Sequence, residues 1–175
     1  MKTEYLLDRE VGHVLALLRP SNQVVMQVCL HTGLRVSDVL ALKPEQIKER
    51  FWITEKKTGK PRIVGLPLEL RQAILAQAGD VWCFPGRLDP EKHRSRQAVW
   101  KDVKRAADAL RLPQNVAPHS FRKVYAVDLM RKYGSIEKVQ RALNHGSETT
   151  TMIYAMAAQL LEQKRLKRVY RVGKR

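Results

Sequence analysis

Along most of the chain apolar residues recur every three or four positions, the spacing of helices that bury one face; in one stretch they alternate instead. Residues 6–18 and 23–31 carry the helical spacing on either side of a Pro20-Ser21-Asn22 break, and Gly33 suits the end of the second helix. A short helix over 36–42 closes at Pro44. Residues 51–54 and 62–66 alternate like strands around Lys57-Thr58-Gly59-Lys60, which predicts a β-hairpin. Residues 68–78 read as helix, and 81–84 form a short apolar run before a Pro85-Gly86 turn. The polar stretch 89–96 is a loop, with Arg96 leading into a helix over 97–110. After the connection 113–118, a helix starts near His119 and runs to Tyr133, Gly134 and Ser135 break it, and 136–143 continue as helix. The pattern predicts another short helix over residues 149–156, carrying Tyr154. The tail, 157–170, with Leu166, Val169 and Tyr170, suits a final amphipathic helix. There is no internal repeat and no low-complexity linker. The expected fold is mixed α/β, mainly α-helical, with a small antiparallel β-sheet made by the hairpin.

The length of 175 residues suits one domain able to bury a sizeable core. Charge changes the picture more. Lys and Arg number 33 against 17 acids, a formal charge of +16 that favours a polyanion, because neutralising phosphates releases condensed counterions. A ribosomal-type or merely soluble basic protein fits the charge alone as well. Residues Lys164 to Arg175 hold seven Lys or Arg and no acid, which leaves +9 on the first 163 residues. Cys29 and Cys83 sit among apolar neighbours and read as reduced, packed thiols. The chain opens on no secretory signal and has no apolar stretch of membrane-span length, so the expected compartment is the cytoplasm and the nucleoid within it.

Candidate chemistry centres on Tyr154, nine residues after His145. A Tyr phenolate can attack a phosphodiester and hold the broken strand as an ester. The pentacoordinate phosphate of that step gathers negative charge that fixed donors must stabilise. Arg35, Lys57, His119 and Arg122 supply cations or donors of the right kind. His119 and Arg122 are three apart and share one helix face, with Pro118 at a helix start suited to a phosphate. Arg35, just past a helix end, could fork onto two phosphate oxygens. Lys57, in a hairpin turn, could protonate a leaving 5′ oxygen.

Taken singly, each residue has an ordinary explanation. His119 could cap its helix while Arg122 is solvated, Arg35 could serve the helix dipole, and the lysines could be a hairpin tip in water. His145 could be a surface imidazole, and Tyr154 one more half-buried ring beside Tyr5, Tyr125, Tyr133 and Tyr170. What argues against accident is the joint occurrence of these residue types in this order. Other chemistries find little support: no Cys pair has metal-ligand spacing, no HExxH or phosphate-cradling Gly-rich loop is present, and no GxSxG elbow accompanies Ser120 or Ser147. No metal or cofactor is expected.

The full set resembles the tyrosine recombinases, the phage integrase family. Thr32-Gly33-Leu34-Arg35-Val36-Ser37-Asp38 with Leu40 and Leu42 looks like the box of the first catalytic arginine. Lys57-Thr58-Gly59-Lys60-Pro61-Arg62 looks like the family hairpin, Pro118-His119-Ser120-Phe121-Arg122 matches the HxxR box, and Leu143-Asn144-His145 through Thr150 to Tyr154 matches the final box. The resemblance spans residues 30 to 155 and implies the recombinase catalytic-domain fold. It implies that Tyr154 forms a 3′-phosphotyrosyl link, that Arg35 and Arg122 hold the non-bridging oxygens, and that Lys57 is the general acid. His119 would assist proton transfer and His145 would hydrogen-bond the phosphate. Rejoining would then need neither metal nor ATP.

The partner implied is double-stranded DNA, bound by a monomer that forms a homotetramer on it, with the basic segment 157–175 packing on a neighbouring protomer. Lys56, Lys60, Arg62, Arg94, Arg96 and Lys123 flank the boxes and are expected to meet phosphates. Asn144 stands where the family has glycine, a change that Asn tolerates well. Residues 1–175 are expected to form a single catalytic domain with no N-terminal core-binding domain, either an excised piece or a naturally minimal member. Two alternatives stay open: a catalytically silent DNA-binding module of the same fold, and a relaxing enzyme like the type IB topoisomerases.

Overall fold

A computed structural model describes Glu4 and residues 6–143 of the chain. The elements run α1 (Asp8–Leu17), α2 (Pro20–Thr32), α3 (Val36–Leu40), a 3₁₀ turn (Pro44–Gln46), β1 (Arg50–Thr54), β2 (Pro61–Gly65), α4 (Leu68–Leu75), α5 (Arg96–Ala109), α6 (Pro118–Tyr133) and α7 (Ile136–Ala142). The chain divides within α6 into two compact units, Met1–Tyr125 and Ala126–Arg175. In the second unit, Val139 and Leu143 are buried and Tyr133 lies beneath the ammonium groups of Lys132 and Lys138. Among the described residues no helix is long and apolar enough to cross a membrane.

The core of the first unit is built on α2, which packs against α1, α3 and α4 and buries Val25, Met26, Val28 and Cys29. Pro20-Ser21-Asn22, expected as a break, is instead the first turn of α2. Proline at the first helical position needs no N–H partner and has its φ already set, so it starts a helix rather than interrupting one. α5 buries Val99, Val103, Ala106 and Ala107, one stripe at helical spacing, and packs on α1 and α3. Its N-terminus is capped by Ser95, whose hydroxyl accepts from the Ala98 N–H at 3.1 Å. Both cysteines are buried and unpaired by disulfide. Burial pushes each thiol up, to about 12 for Cys29 and to about 12 for Cys83.

The expected hairpin forms as a two-stranded antiparallel sheet in which Phe51 faces Val64, Trp52 faces Ile63 and Ile53 faces Arg62. Period-two alternation puts Phe51, Ile53 and Val64 inside and leaves Trp52 and Ile63 in water. Arg62 shares the inner face, which decides where its guanidinium goes. The apolar run 81–84 buries Cys83 and Phe84 without joining the sheet; beyond it, Pro85 and His93 form an isolated bridge.

Candidate active site

The site begins at the C-terminal end of α2. Thr32 turns its hydroxyl back onto the Val28 carbonyl at 2.6 Å, and Gly33 takes the left-handed conformation at φ 66° that ends the helix, its N–H bonded to the Cys29 carbonyl at 2.8 Å. The chain then reverses, buries Leu34, and presents Arg35 at the N-cap of α3. A helix C-terminus exposes carbonyls with partial negative charge, and cations settle there favourably. Two do so: Arg62 donates through Nη2 to the Thr32 carbonyl, and Arg122 through Nη1 to the Gly33 carbonyl.

Glu55 completes the arrangement. Its side chain is fully buried, Oε2 lies 2.7 Å from Arg35 Nη1, and Oε1 lies 3.3 Å from Arg62 Nη1. The Thr58 hydroxyl adds a bond to Oε2 at 3.3 Å. Three guanidinium groups drawn from α6, β2 and the α2–α3 corner are thereby held beside one carboxylate and two helix-end carbonyls, which offset their mutual repulsion. Asp38, also buried, accepts the Lys56 N–H at 3.0 Å and anchors the start of the hairpin turn. Among the described residues its Oδ2 is buried without a hydrogen-bond partner, and burial raises the acid's pKa above the ordinary range.

α6 brings the HxxR pair to the same place. The Ala117 N–H donates to the Ser120 hydroxyl at 3.2 Å and the Ser120 N–H to the Ala117 carbonyl at 2.8 Å, which closes the first turn. His119 is then exposed while Arg122, three residues on, is buried. Burial, with the charge of Arg35 beside it, lowers the Arg122 pKa to about 10, and Glu55 opposes the shift. Arg122 therefore remains a cation at neutral pH. Arg35, His119 and Arg122 line one cleft of ≈ 450 Å³, together with Leu34, Val36, Arg96 and the half-exposed Trp100.

The other nominated residues fall in different places. Lys57 is exposed in the hairpin turn and is not among the residues lining the cleft. Lys56 and Lys60 are exposed in the same turn, and Lys123 is half-buried beside Arg122. Arg96 opens α5 at the cleft's edge. Arg94 is half-buried and donates to the Ser21 hydroxyl and, at 2.9 Å, to the Asn22 amide oxygen. It sits along a second, wider cleft of ≈ 980 Å³ with Arg19, Arg87, Lys92, Lys101 and Arg105, cations that no local spacing groups together. His145 and Tyr154, with the tail 157–175, lie outside the described residues. Sequence reasoning passed over Glu55; the available signal was a lone acid at the head of a run of cations.

Comparison with known proteins bears on the same residues. The sequence model described as the phage integrase family matches residues 5–160. The integrase of Escherichia phage P2 is 32% identical over 155 residues, covering 88% of this chain and 43% of that protein. Tyrosine recombinase XerC of Mesorhizobium japonicum is 30% identical over 152 residues, covering 81% of this chain and 49% of its own length. The chain thus spans about half the length of these curated relatives. Among solved structures, the XerA recombinase superposes with a TM-score of 0.72 at 20% identity, over 93% of this chain and 64% of that one. A lambda integrase dimer bound to a COC′ core site gives 0.73 at 16% identity, over 87% and 48%. At such identities the likeness shows the fold, that of recombinase catalytic domains, and with the match along the sequence it settles the family: the chain belongs to the phage integrase family.

Proposed function

We propose that this chain carries the catalytic domain for site-specific DNA recombination and cuts and rejoins strands through a 3′-phosphotyrosyl intermediate. The observation that supports the reading best is the convergence of Arg35 with the distantly encoded pair His119 and Arg122 on one cleft. The phenolate oxygen of Tyr154 attacks phosphorus, the bond to the 5′ oxygen breaks, and that oxygen leaves with a proton from Lys57. Arg35 and Arg122 take the non-bridging oxygens, where negative charge grows in the transition state. His145 adds a hydrogen bond to the phosphate, and His119 helps move the tyrosine proton. The ester retains the energy of the broken bond, so the reverse attack by a 5′ hydroxyl reseals DNA without ATP or a metal ion. The substrate is double-stranded DNA, engaged by a monomer that assembles as a tetramer on it, with further phosphate contacts from Lys56, Lys60, Arg62, Arg94, Arg96 and Lys123.

The test uses a pool of nicked suicide duplexes of randomised sequence, whose cleaved end diffuses away and traps the adduct. The wild-type chain should become covalently joined to DNA, and Tyr154→Phe should bind the pool equally well yet form no adduct. Binding without any wild-type adduct would favour the silent DNA-binding module. An adduct that survives Tyr154→Phe would assign the attack to another tyrosine. Lys57→Ala should slow cleavage, with partial recovery on duplexes carrying a 5′-bridging phosphorothiolate, since a thiolate leaves without protonation. Equal loss on both substrates would remove Lys57 as the acid.

A further inference from the structure

Glu55 has no role in the chemistry above, yet it is the acid on which the arginines converge. We propose that Glu55 is a positioning residue that orients Arg35 for the scissile phosphate, at the expense of weaker ground-state DNA binding. The proposal rests on the reading of the cleft as a phosphate site. Among the described residues, the Glu55 carboxylate is the hydrogen-bond partner of the Arg35 guanidinium, held at Nη1 with an Oε2 distance of 2.7 Å. One edge of the planar fork is thereby fixed. A fork already fixed loses less freedom when it takes a phosphate oxygen on its remaining donors.

Glu55 is itself well placed to act as a rigid mount. Its backbone N–H donates to the Lys60 carbonyl at 3.1 Å and its carbonyl accepts from the Gly59 N–H at 2.8 Å, so it closes the turn that carries Lys57. Its other carboxylate oxygen holds Arg62, which in turn grips the Thr32 carbonyl at the end of α2. The first arginine and the hairpin thus share one anchor. Yet a carboxylate in this position also repels the phosphate that Arg35 must receive. Removing its charge should therefore strengthen binding while loosening the geometry on which cleavage depends, and those opposite directions separate positioning from simple support of the fold.

The experiment compares wild type, Glu55→Gln and Glu55→Asp in two assays: affinity for a short duplex of arbitrary sequence at low salt, and adduct formation on the randomised suicide pool. Glu55→Gln should bind several-fold more tightly and cleave about 10- to 100-fold more slowly. Glu55→Asp keeps the charge but cannot reach both arginines, so its affinity should stay at the wild-type value while cleavage slows about 10-fold. A Gln variant in which binding and cleavage fall together, or cleavage stays at the wild-type rate, overturns the proposal. Should Glu55→Gln fail to fold, the Asp variant decides, and wild-type cleavage by it is equally fatal. A wild-type protein that never forms an adduct defeats the recombinase reading instead. The affinity of Glu55→Gln then judges Glu55 alone, with binding no tighter than wild type counting against it.

Discussion

Glu55 and Asp102 are both buried carboxylates that gather arginine, and they differ in what those arginines would otherwise face. Asp102 sits at the N-terminal end of α2. Its Oδ2 accepts the Arg19 N–H at 2.9 Å and the Asn22 amide at 2.8 Å, while Oδ1 takes Arg105 Nη2 at 2.7 Å. Arg105 continues to the Leu17 carbonyl, so one acid fastens the end of α1 and the start of α2 to α5. Negative charge there suits the helix dipole. Glu55 works at the opposite end of the same helix, where the carbonyls attract cations, and one of its two arginines, Arg35, borders an open cleft. Similar chemistry serves cohesion at one end of α2 and borders the candidate active-site cleft at the other. Arg105 borders a cleft too, the wider one; what sets Arg35 apart is that its cleft also holds His119 and Arg122.

The largest expected contrast comes from replacing one arginine on each acid. Arg35→Lys, which cannot fork, should cut adduct formation by about 100-fold, while Arg105→Lys leaves it at the wild-type level. Equal losses from the two would erase the distinction drawn between the acids. Next in size, Asp102→Asn should lower unfolding free energy by about 1–3 kcal/mol in a denaturant titration, because a buried N–H loses its acceptor. Cleavage per folded molecule should not change. A slower enzyme of undiminished stability would make Asp102 part of the site after all.

The acid limb of stability gives a smaller, signed effect. Burial would raise the Asp102 pKa, but the bonds from Asn22, Arg105 and Arg19 outweigh it and hold the carboxyl below its ordinary 3.8. A depressed folded value means that the group stabilises the fold fully above the unfolded value of 3.8 and loses that contribution as pH falls through the folded value. Wild type should therefore lose stability below about pH 4 more steeply than Asp102→Asn, as thermal melts across that range will register. Parallel acid limbs would mean that other carboxylates dominate. Least of all, Arg105→Lys should cost under about 1 kcal/mol, since its side chain is 51% exposed.

Much of the architecture was legible because it follows from local pattern. Alternation gave the hairpin, Gly33 marked the end of α2, and an i, i+3 spacing placed His119 and Arg122 on one helix. Pro20 misled, since the same residue opens helices and breaks them, and only the packing of α2 decides which. The buried acids were hidden for a different reason. Whether a carboxylate can be buried depends on cations brought to it by tertiary structure, and Glu55 meets Arg35 across 20 residues and Asp102 meets Asn22 across 80. Arg94 shows the converse. In sequence it is a cation in a polar loop suited to phosphate; in the fold its Nη1 also bonds Ser21 and Asn22 on α2, a tie that no local pattern announces.

The sealed thiols carry a practical consequence for observing this protein at work. Cys29 and Cys83 are buried, and both titrate near 12, so at neutral pH almost no thiolate is presented to an electrophile. Among the described residues, then, the chain is already silent toward maleimides while it stays folded. A single cysteine introduced at exposed Leu88, in the loop before α5, could accept a fluorophore without first stripping the native pair. Dye uptake by the unaltered protein would double as a meter of unfolding.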